Sequence, residues 1–193
     1  MNSPSFIAVF VVAIPVLGTG IHFPSGTISE SPDGRWKLTC KSPADGAVDL
    51  QHVILLTEGQ GRSVELRRFD RGCSVLWSPD SSWFALTDDW ASDRSDVFIY
   101  SAAGRVSKKS IGEQFPTNAI PREELTGHCY FDAYQWLDRY RLRFKVSGHT
   151  DEPPVYSFEH EYVFDLKSGR FEKAIKEKSD KSLQPNAIAP KAP

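Results

Sequence analysis

Four carboxylates stand close together in the middle of the chain, in the segment DDWASDRSD at residues 88–96. Carboxylate oxygens could bind a cation, but the segment lacks the Gly and the closing Glu of a calcium-binding loop, and Arg94 would compete for the same acids. We therefore predict an exposed loop between two strands and no metal site. The candidate binding residues for a partner are Asp88, Asp89, Trp90, Asp93 and Asp96.

Three of the histidines, His128, His149 and His160, invite a catalytic or metal-binding interpretation. His160 lies between Glu159 and Glu161, but side chains alternate along a strand, so both glutamates should face away from it. We interpret these histidines as surface-strand residues. The sequence has no G-x-S-x-G elbow, H-E-x-x-H helix, phosphate-binding glycine loop or Cys-x-x-Cys pair. No cofactor is expected.

The chain has three cysteines, too few for a disulfide scaffold and spaced unlike a zinc site. Cys73 lies shortly before Trp77 and Cys129 shortly before Trp136, on comparable strands. If the protein is exported, Cys73 with Cys129 is the favoured disulfide, which leaves Cys40 over. The alternative is three reduced thiols that pack as small apolar side chains.

Composition indicates one globular domain with a β-rich core. Apolar residues make up 40% of the chain, charged residues 25% and aromatic residues 12%, with five tryptophans. The net charge of −2 provides no excess of basic residues to neutralise a phosphate backbone, so nucleic acid is excluded as a partner.

The N-terminal segment has an apolar run, FIAVFVVAIPVL at residues 6–17, of the length of a signal-peptide core and short for a membrane span. Small residues at 18–20 suit cleavage. We predict a signal peptide over residues 1–20, a periplasmic or secreted protein, and no stable membrane span after cleavage. The run lacks a preceding Lys or Arg, so an uncleaved anchor or a buried first strand is the alternative. Residues 176–193 are polar and rich in Lys and Pro, which predicts a disordered tail.

An internal repeat organises the intervening residues 21–175. The turn SPDGRW at residues 31–36 returns as SPDSSW at 78–83, and WLDRY at 136–140 is a weaker third copy; each precedes a strand-like run. A second element recurs after each turn, an apolar strand followed by a Gly-Arg turn at residues 61–62, 104–105 and 169–170. The pattern predicts a mainly β protein of about three antiparallel, propeller-blade-like sheets, with a β-sandwich or barrel as the alternative.

These repeats resemble those of TolB-type β-propellers over residues 27–174. Trp36, Trp83 and Tyr140 occupy equivalent places in the three copies, which predicts that they pack the blades on one another. Closed propellers usually have four or more blades, so three leave open edges. The strand near Ile21, the connection over residues 112–126 or a partner chain could cover them. That connection should contain one short helix beginning at Pro121.

Three functions follow as hypotheses. TolB-like repeats imply protein interaction, which favours a non-enzymatic, exported module that binds or scaffolds a protein or peptide through loops at one end of its sheets. An inhibitor or immunity-type factor that uses the acidic loop is the second. A hydrolase-like enzyme that uses His149 or His160 is the third, although hydrolases with TolB-like blades have their chemistry in a separate domain. Exposed edges also allow a homodimer.

Overall fold

The structure is a computed structural model that describes residues 20–24, 27–46, 50–103 and 109–174. Within these ranges the chain forms thirteen strands and two short helices. The predicted signal peptide before Gly20, the predicted tail and the 104–105 turn lie outside the described residues, so they stay predictions. No helix in the described part of the chain is both long enough and apolar enough to cross a bilayer.

The first copy of the repeat forms a four-stranded antiparallel sheet, which we call blade 1. Its strands pair in chain order, as expected for a meander in which short turns join neighbours. The strands are β2 (Ile28–Glu30), β3 (Trp36–Lys41), β4 (His52–Glu58) and β5 (Val64–Phe69).

The second and third copies belong to one larger sheet of nine strands. Blade 2 consists of β6 (Cys73–Trp77), β7 (Trp83–Asp88), β8 (Arg94–Ser101) and β9 (Lys109–Ser110), and the N-terminal strand β1 (Ile21–Phe23) pairs with β6. Blade 3 consists of β10 (His128–Trp136), β11 (Arg141–His149), β12 (Ser157–Asp165) and β13 (Arg170–Lys173).

Blades 2 and 3 are joined by a short parallel pairing between β8 and β10, in which Cys129 lies opposite Arg94 and Tyr130 opposite Ser95. The mainly β prediction is confirmed: the fold is open, does not close into a barrel, and is consistent with a propeller-like or a sandwich arrangement. The described strands form two sheets instead of about three, because blades 2 and 3 are continuous through β8 and β10. The expectation that the strand near Ile21 covers an edge is also confirmed, since β1 pairs along β6.

The connection between blades 2 and 3 contains both helices, α1 (Ile111–Gln114) and α2 (Arg122–Thr126). Pro121 is the N-cap of α2, as predicted. The sequence analysis missed α1. Its N-cap is Ser110, whose hydroxyl accepts a hydrogen bond from the Glu113 N–H, a standard way to satisfy a free helical donor.

The repeated turns have the same hydrogen bonds. The Ser31 hydroxyl donates to Asp33 Oδ1 (2.7 Å) and accepts from the Trp36 N–H (3.0 Å). Ser78 makes the equivalent bonds to the Asp and the Trp of the second turn, both at 2.9 Å. The repeat detected in the sequence is therefore a repeat of backbone geometry.

Left-handed backbone at one position explains the residue choice in two of the turns. Gly34 has φ +70° in the first turn, and Ser81 has φ +61° at the same place in the second. Glycine adopts this region without a Cβ clash, whereas serine is strained there. Ser81 is buried, and its hydroxyl accepts a bond from the Asp33 N–H at 3.0 Å. The serine thus links the two turns.

Two apolar cores lie between the blades. The core between blades 1 and 2 contains Leu38, Ile54, Phe84 and Tyr100, and the core between blades 2 and 3 contains Val97, Leu142, Phe144 and Phe164. Trp36 belongs to the former, and Trp83 and Tyr140 pack against the latter, which confirms their predicted role in blade packing.

The outer face of blade 3 is polar. Lys145 of β11 pairs with Glu159 of β12 at 3.2 Å, and the Tyr134 hydroxyl donates to Glu161 at 3.1 Å. His160, between the two glutamates, faces the other side, as predicted. This face is suited to water, because cross-strand pairs of opposite charge stabilise an exposed sheet.

Candidate functional site

The carboxylates of the predicted binding loop do not converge. Asp88 ends β7 and is buried, and its carboxylate forms an ion pair with Arg67 of β5 in blade 1. Burial raises the Asp88 pKa, and the Arg67 charge partly offsets this effect. A buried ion pair of this kind joins two blades and leaves Asp88 unavailable to a partner.

Asp96 lies in β8 and holds the start of α1. Its carboxylate accepts hydrogen bonds from the Ser110 hydroxyl (2.5 Å), the Gly112 N–H (2.8 Å) and the Val97 N–H (2.7 Å). Burial raises the Asp96 pKa, although these three bonds act in the opposite direction. This residue borders the cleft described below, but its bonds serve the fold.

Asp89 and Asp93 point to different neighbours. Burial raises the Asp89 pKa, while the nearby His22 charge lowers it. Asp93 lies 3.9 Å from the Arg94 guanidinium, which also donates to the carbonyls of Leu125 (3.0 Å) and Thr126 (3.1 Å) in α2. The loop is therefore tied to the rest of the protein, and it does not present a single acidic surface.

Trp90 is the exception among the predicted residues. Its side chain is 53% exposed, although tryptophan usually buries most of its large apolar surface. It stands at a cleft of about 520 Å³ between the β7–β8 loop, β8, β10 and the two helices. This volume lies in the range of pockets that bind small molecules or single side chains.

The cleft is lined by aromatic side chains together with polar and charged ones. Phe98, Phe115 and Phe131 line it, and the rings of the last two meet edge to face at 5.3 Å. The Arg67 guanidinium lies 3.7 Å above the Phe98 ring, a cation–π contact. Glu113 is exposed in the lining and offers a carboxylate. This arrangement suits an apolar side chain next to a basic group.

The thiol in the cleft is a poor nucleophile. Cys129 is buried, and burial raises its pKa to about 11, so the thiol stays protonated at neutral pH. Burial likewise raises the pKa of Cys73, on the other side of blade 2. All three cysteines are free thiols, and Cys73 and Cys129 lie in different cores. The disulfide favoured from the sequence is not formed in this structure.

His160 has a structural role. Its Nε2 lies 2.6 Å from the Glu124 carboxylate of α2, and the Tyr156 hydroxyl donates to the same carboxylate at 3.2 Å. Glu124 is buried, and these two partners satisfy its carboxylate. The group fixes α2 on β12.

His128 and His149 come together with Asp151 at the far end of the β10–β11 hairpin. The two histidines are cross-strand partners, and their rings stack with centroids 4.0 Å apart. Asp151 Oδ1 lies 2.8 Å from His128 Nδ1 and 3.7 Å from His149 Nε2. Among the described residues, this is the group whose donor atoms lie close enough together to bind one metal ion.

A polar groove follows β1 and the adjoining strands. Three cavities of about 270, 340 and 390 Å³ share His22 in their lining. Asp89 lines two of them, and Asp132 lines the largest. Burial raises the pKa of Asp132, and the neighbouring Asp89 charge raises it further. The negative charges of Asp89 and Asp132 repel each other, and no other feature of the described groove indicates a ligand.

Sequence reasoning missed most of the cleft and the convergence of the hairpin residues. Arg67 and Phe131 come from other blades, so the sequence around Trp90 does not indicate that they line the same cleft. The hairpin cluster left a signal that could have been used. β10 and β11 follow each other around a short turn, so a hairpin brings His128 near His149; a register shift between Ala133 and Gln135 then makes them direct partners.

No protein-family profile matches the chain, and no curated protein matches it. Solved structures do. The apo AtxE2 isopeptidase is 15% identical, with a TM-score of 0.50, and the match covers 77% of this chain and 28% of that one. A variant of that isopeptidase with Astexin3-dC4 bound is 16% identical, with a TM-score of 0.45 and coverage of 78% and 29%.

A protein assigned as TolB from Agrobacterium tumefaciens is 17% identical, with a TM-score of 0.38 and coverage of 81% and 46%. The chain thus spans less than a third of the isopeptidase and about half of the TolB protein. At 15% identity, the likeness to the isopeptidase concerns the fold alone: this chain has an open, β-structured fold shared with part of a larger protein.

Proposed function

We propose that this chain is a non-enzymatic, exported binding module that holds a peptide segment of a partner protein in the cleft beside Trp90. The observation that supports this most is the exposed Trp90 side chain at the edge of an aromatic cleft of about 520 Å³. Tryptophan is enriched among the residues that dominate binding energy at protein interfaces.

The lining defines the chemistry of the segment. The aromatic walls favour a large apolar side chain as the anchor, and the exposed Glu113 favours a Lys or Arg beside it. Arg67 and Arg94 already have partners in the protein, the former at Asp88 and the latter at two carbonyls of α2. They add little attraction for an acidic segment.

The arrangement of polar groups gives little support to an enzyme that uses His160 or the Cys129 thiol. His160 is bound to Glu124, and the buried Cys129 thiol stays protonated. The inhibitor hypothesis needs a free acidic loop, but Asp88 and Asp96 bind Arg67 and Ser110 within the protein. Peptide binding would instead use Trp90, whose side chain is exposed.

Site-specific photo-crosslinking in the host tests the proposal. A photoreactive phenylalanine analogue replaces Trp90 in one variant and Ile28 in the control, an apolar residue of β2 that is 48% exposed. We expect one dominant protein adduct from position 90 and none of the same mass from position 28. No adduct from position 90, or the same adducts from both positions, would contradict the proposal. An adduct with a second copy of the chain would show that the partner is this protein itself, in a homodimer.

Export forms part of the same proposal and rests on the apolar run at residues 6–17. We expect the host's envelope or exterior fraction to contain a chain shortened at its N-terminus near residue 20. Recovery of the full-length chain from the cytoplasm would contradict export without bearing on the cleft.

A further inference from the structure

The far end of the β10–β11 hairpin has the donor atoms of a transition-metal site. We propose that His128, His149 and Asp151 bind one divalent cation of the zinc type. The sequence offers no spacing motif for such a site, because two ligands come from paired strands and the third from the following loop. The proposal is independent of the peptide-binding cleft.

The distances are close to what zinc requires. Bond lengths of about 2.0–2.2 Å place neighbouring donor atoms of a tetrahedral site roughly 3.3–3.6 Å apart. The Asp151 carboxylate lies 2.8 Å from His128 Nδ1 and 3.7 Å from His149 Nε2, values on either side of that spacing. One donor atom from each of the three residues fits within 4.8 Å of the others.

A small rearrangement completes the geometry. The two imidazole rings stack at 4.0 Å, so one ring must rotate before both nitrogens can point at the same ion. The His149 side chain is 45% exposed, so one side of its ring faces solvent. The ion would take the place of the proton between His128 Nδ1 and the Asp151 carboxylate, so the bond seen here already sets two ligands side by side.

The backbone that holds the ligands is well supported. His128 and His149 lie at the ends of two nine-residue strands that pair from His128–His149 to Trp136–Leu142, with one register shift between Ala133 and Gln135. The loop with Asp151 is closed by Thr150, whose N–H donates to the Tyr156 carbonyl at 3.0 Å and whose hydroxyl accepts from the Tyr156 N–H at 3.1 Å. Ligands on fixed backbone bind an ion with less loss of conformational freedom.

The ligand types select the metal. Imidazole nitrogens suit zinc, copper, nickel and cobalt, whereas calcium and magnesium require oxygen ligands throughout. Both described ion pairs of Asp151 are to these histidines, so no Lys or Arg in the described part of the chain competes for its carboxylate. Three protein ligands leave a fourth position for water or for a donor group of another molecule.

Competition with a chromophoric zinc chelator tests the site on the full chain after removal of bound metal. We expect one zinc ion per chain, and at least about tenfold weaker binding in His149→Gln and in Asp151→Asn, because loss of even an outer-shell partner of a metal commonly costs 10–100-fold. His52→Gln is the matched control, since that histidine lies in blade 1 and stacks on Phe69. It should bind zinc like the wild type.

Histidine side-chain NMR of the unaltered protein provides a second readout that does not depend on whether the variants fold. Zinc should shift the imidazole signals of His128 and His149 and leave those of His52 in place. The proposal is overturned if the wild type takes up no zinc, if both hairpin variants bind it as tightly as the wild type, or if the shifted signals belong to other histidines.

Discussion

Arg139 of the third repeat turn lies 3.0 Å from the Asp80 carboxylate of the second turn. The second turn also contacts the first, because Ser81 accepts a hydrogen bond from the Asp33 N–H. The three turns therefore form a continuous line across the ends of the blades. Within each turn the Asp side chain also caps the following strand, as Asp138 does by accepting from the N–H groups of Tyr140 (2.8 Å) and Arg141 (3.0 Å).

The turn aspartates predict acid sensitivity. The Ser31 hydroxyl, followed by the bonds from Arg35, holds the Asp33 pKa well below its usual range. A carboxyl whose pKa is lowered by folding stabilises the protein above its unfolded pKa of about 3.9, and this contribution is lost as the pH falls through the folded value. We expect Asp33→Asn to lower the free energy of unfolding at pH 7 and to have a smaller effect near pH 2.5.

Urea unfolding at the two pH values measures this difference. Asp45→Asn is the control, because that exposed residue lies outside the repeat turns. The buried Asp88, Asp96 and Asp132, whose pKa values are raised, act in the opposite direction in every variant, so the comparison with the wild type isolates Asp33. An Asp33→Asn effect that is equal at both pH values would show that the turn carboxylate has no such role.

The buried Glu124 should be important for stability. Glu124→Ala removes the acceptor for His160 (2.6 Å) and for the Tyr156 hydroxyl (3.2 Å), and it leaves both groups without this partner. Hydrogen bonds to charged groups contribute about 1.5–3 kcal/mol, so we expect a loss of about 2–3 kcal/mol in the free energy of unfolding. Glu123→Ala, at the exposed neighbouring position in α2, should change it by about 0.5 kcal/mol or less. Equal effects of the two substitutions, measured by urea unfolding, would refute the structural role.

The cysteines should differ in reactivity. Burial raises the pKa of all three thiols, and it raises that of Cys129 to about 11. Cys40 is half-buried, whereas Cys73 and Cys129 are buried. With a thiol reagent at pH 8, we expect one early reaction at Cys40 and two that need unfolding. Cys40→Ser should remove the early phase.

The same titration examines the disulfide expected from the sequence. Three thiols per chain after unfolding would agree with the structure. A single titratable thiol in protein isolated from its host, identified as Cys40, would instead indicate an oxidised Cys73–Cys129 pair. A Cys73–Cys129 disulfide would require movement of the strands, because the two cysteines lie in separate cores.

Local pattern was sufficient to predict the mainly β fold and the repetition of the first two Ser-Pro-Asp turns. Pro and Asp at fixed positions favour the turn. The apolar runs that follow are buried in the cores, as Leu38 and Phe84 are. The α2 start at Pro121 was predictable for the same local reason. The short helix α1 was not predicted, although Ser110 and Glu113 are a local signal for its start; Asp96, fourteen residues before Ser110, adds a contact that no local pattern shows.

The candidate site depended on contacts between blades, which no local pattern encodes. The five predicted loop residues separate because β7 ends at Asp88, so it and Asp96 become strand residues that face other partners. Trp90 is left exposed, next to phenylalanines from the connection and from blade 3. The chemistry of that cleft could be recognised only after the blades had been placed.

The measurement that tests peptide binding most directly is selection from a displayed peptide library on immobilised wild-type protein, followed by titration calorimetry of the enriched peptide. We predict enrichment of sequences with a large apolar residue beside Lys or Arg. Trp90→Ala should weaken the binding of the enriched peptide at least about tenfold, which corresponds to about 1.4 kcal/mol of binding free energy. Ile28→Ala should leave the affinity for this peptide unchanged. Failure to enrich any sequence, or equal affinity for the wild type and Trp90→Ala, would contradict the assignment of the cleft as a peptide-binding site.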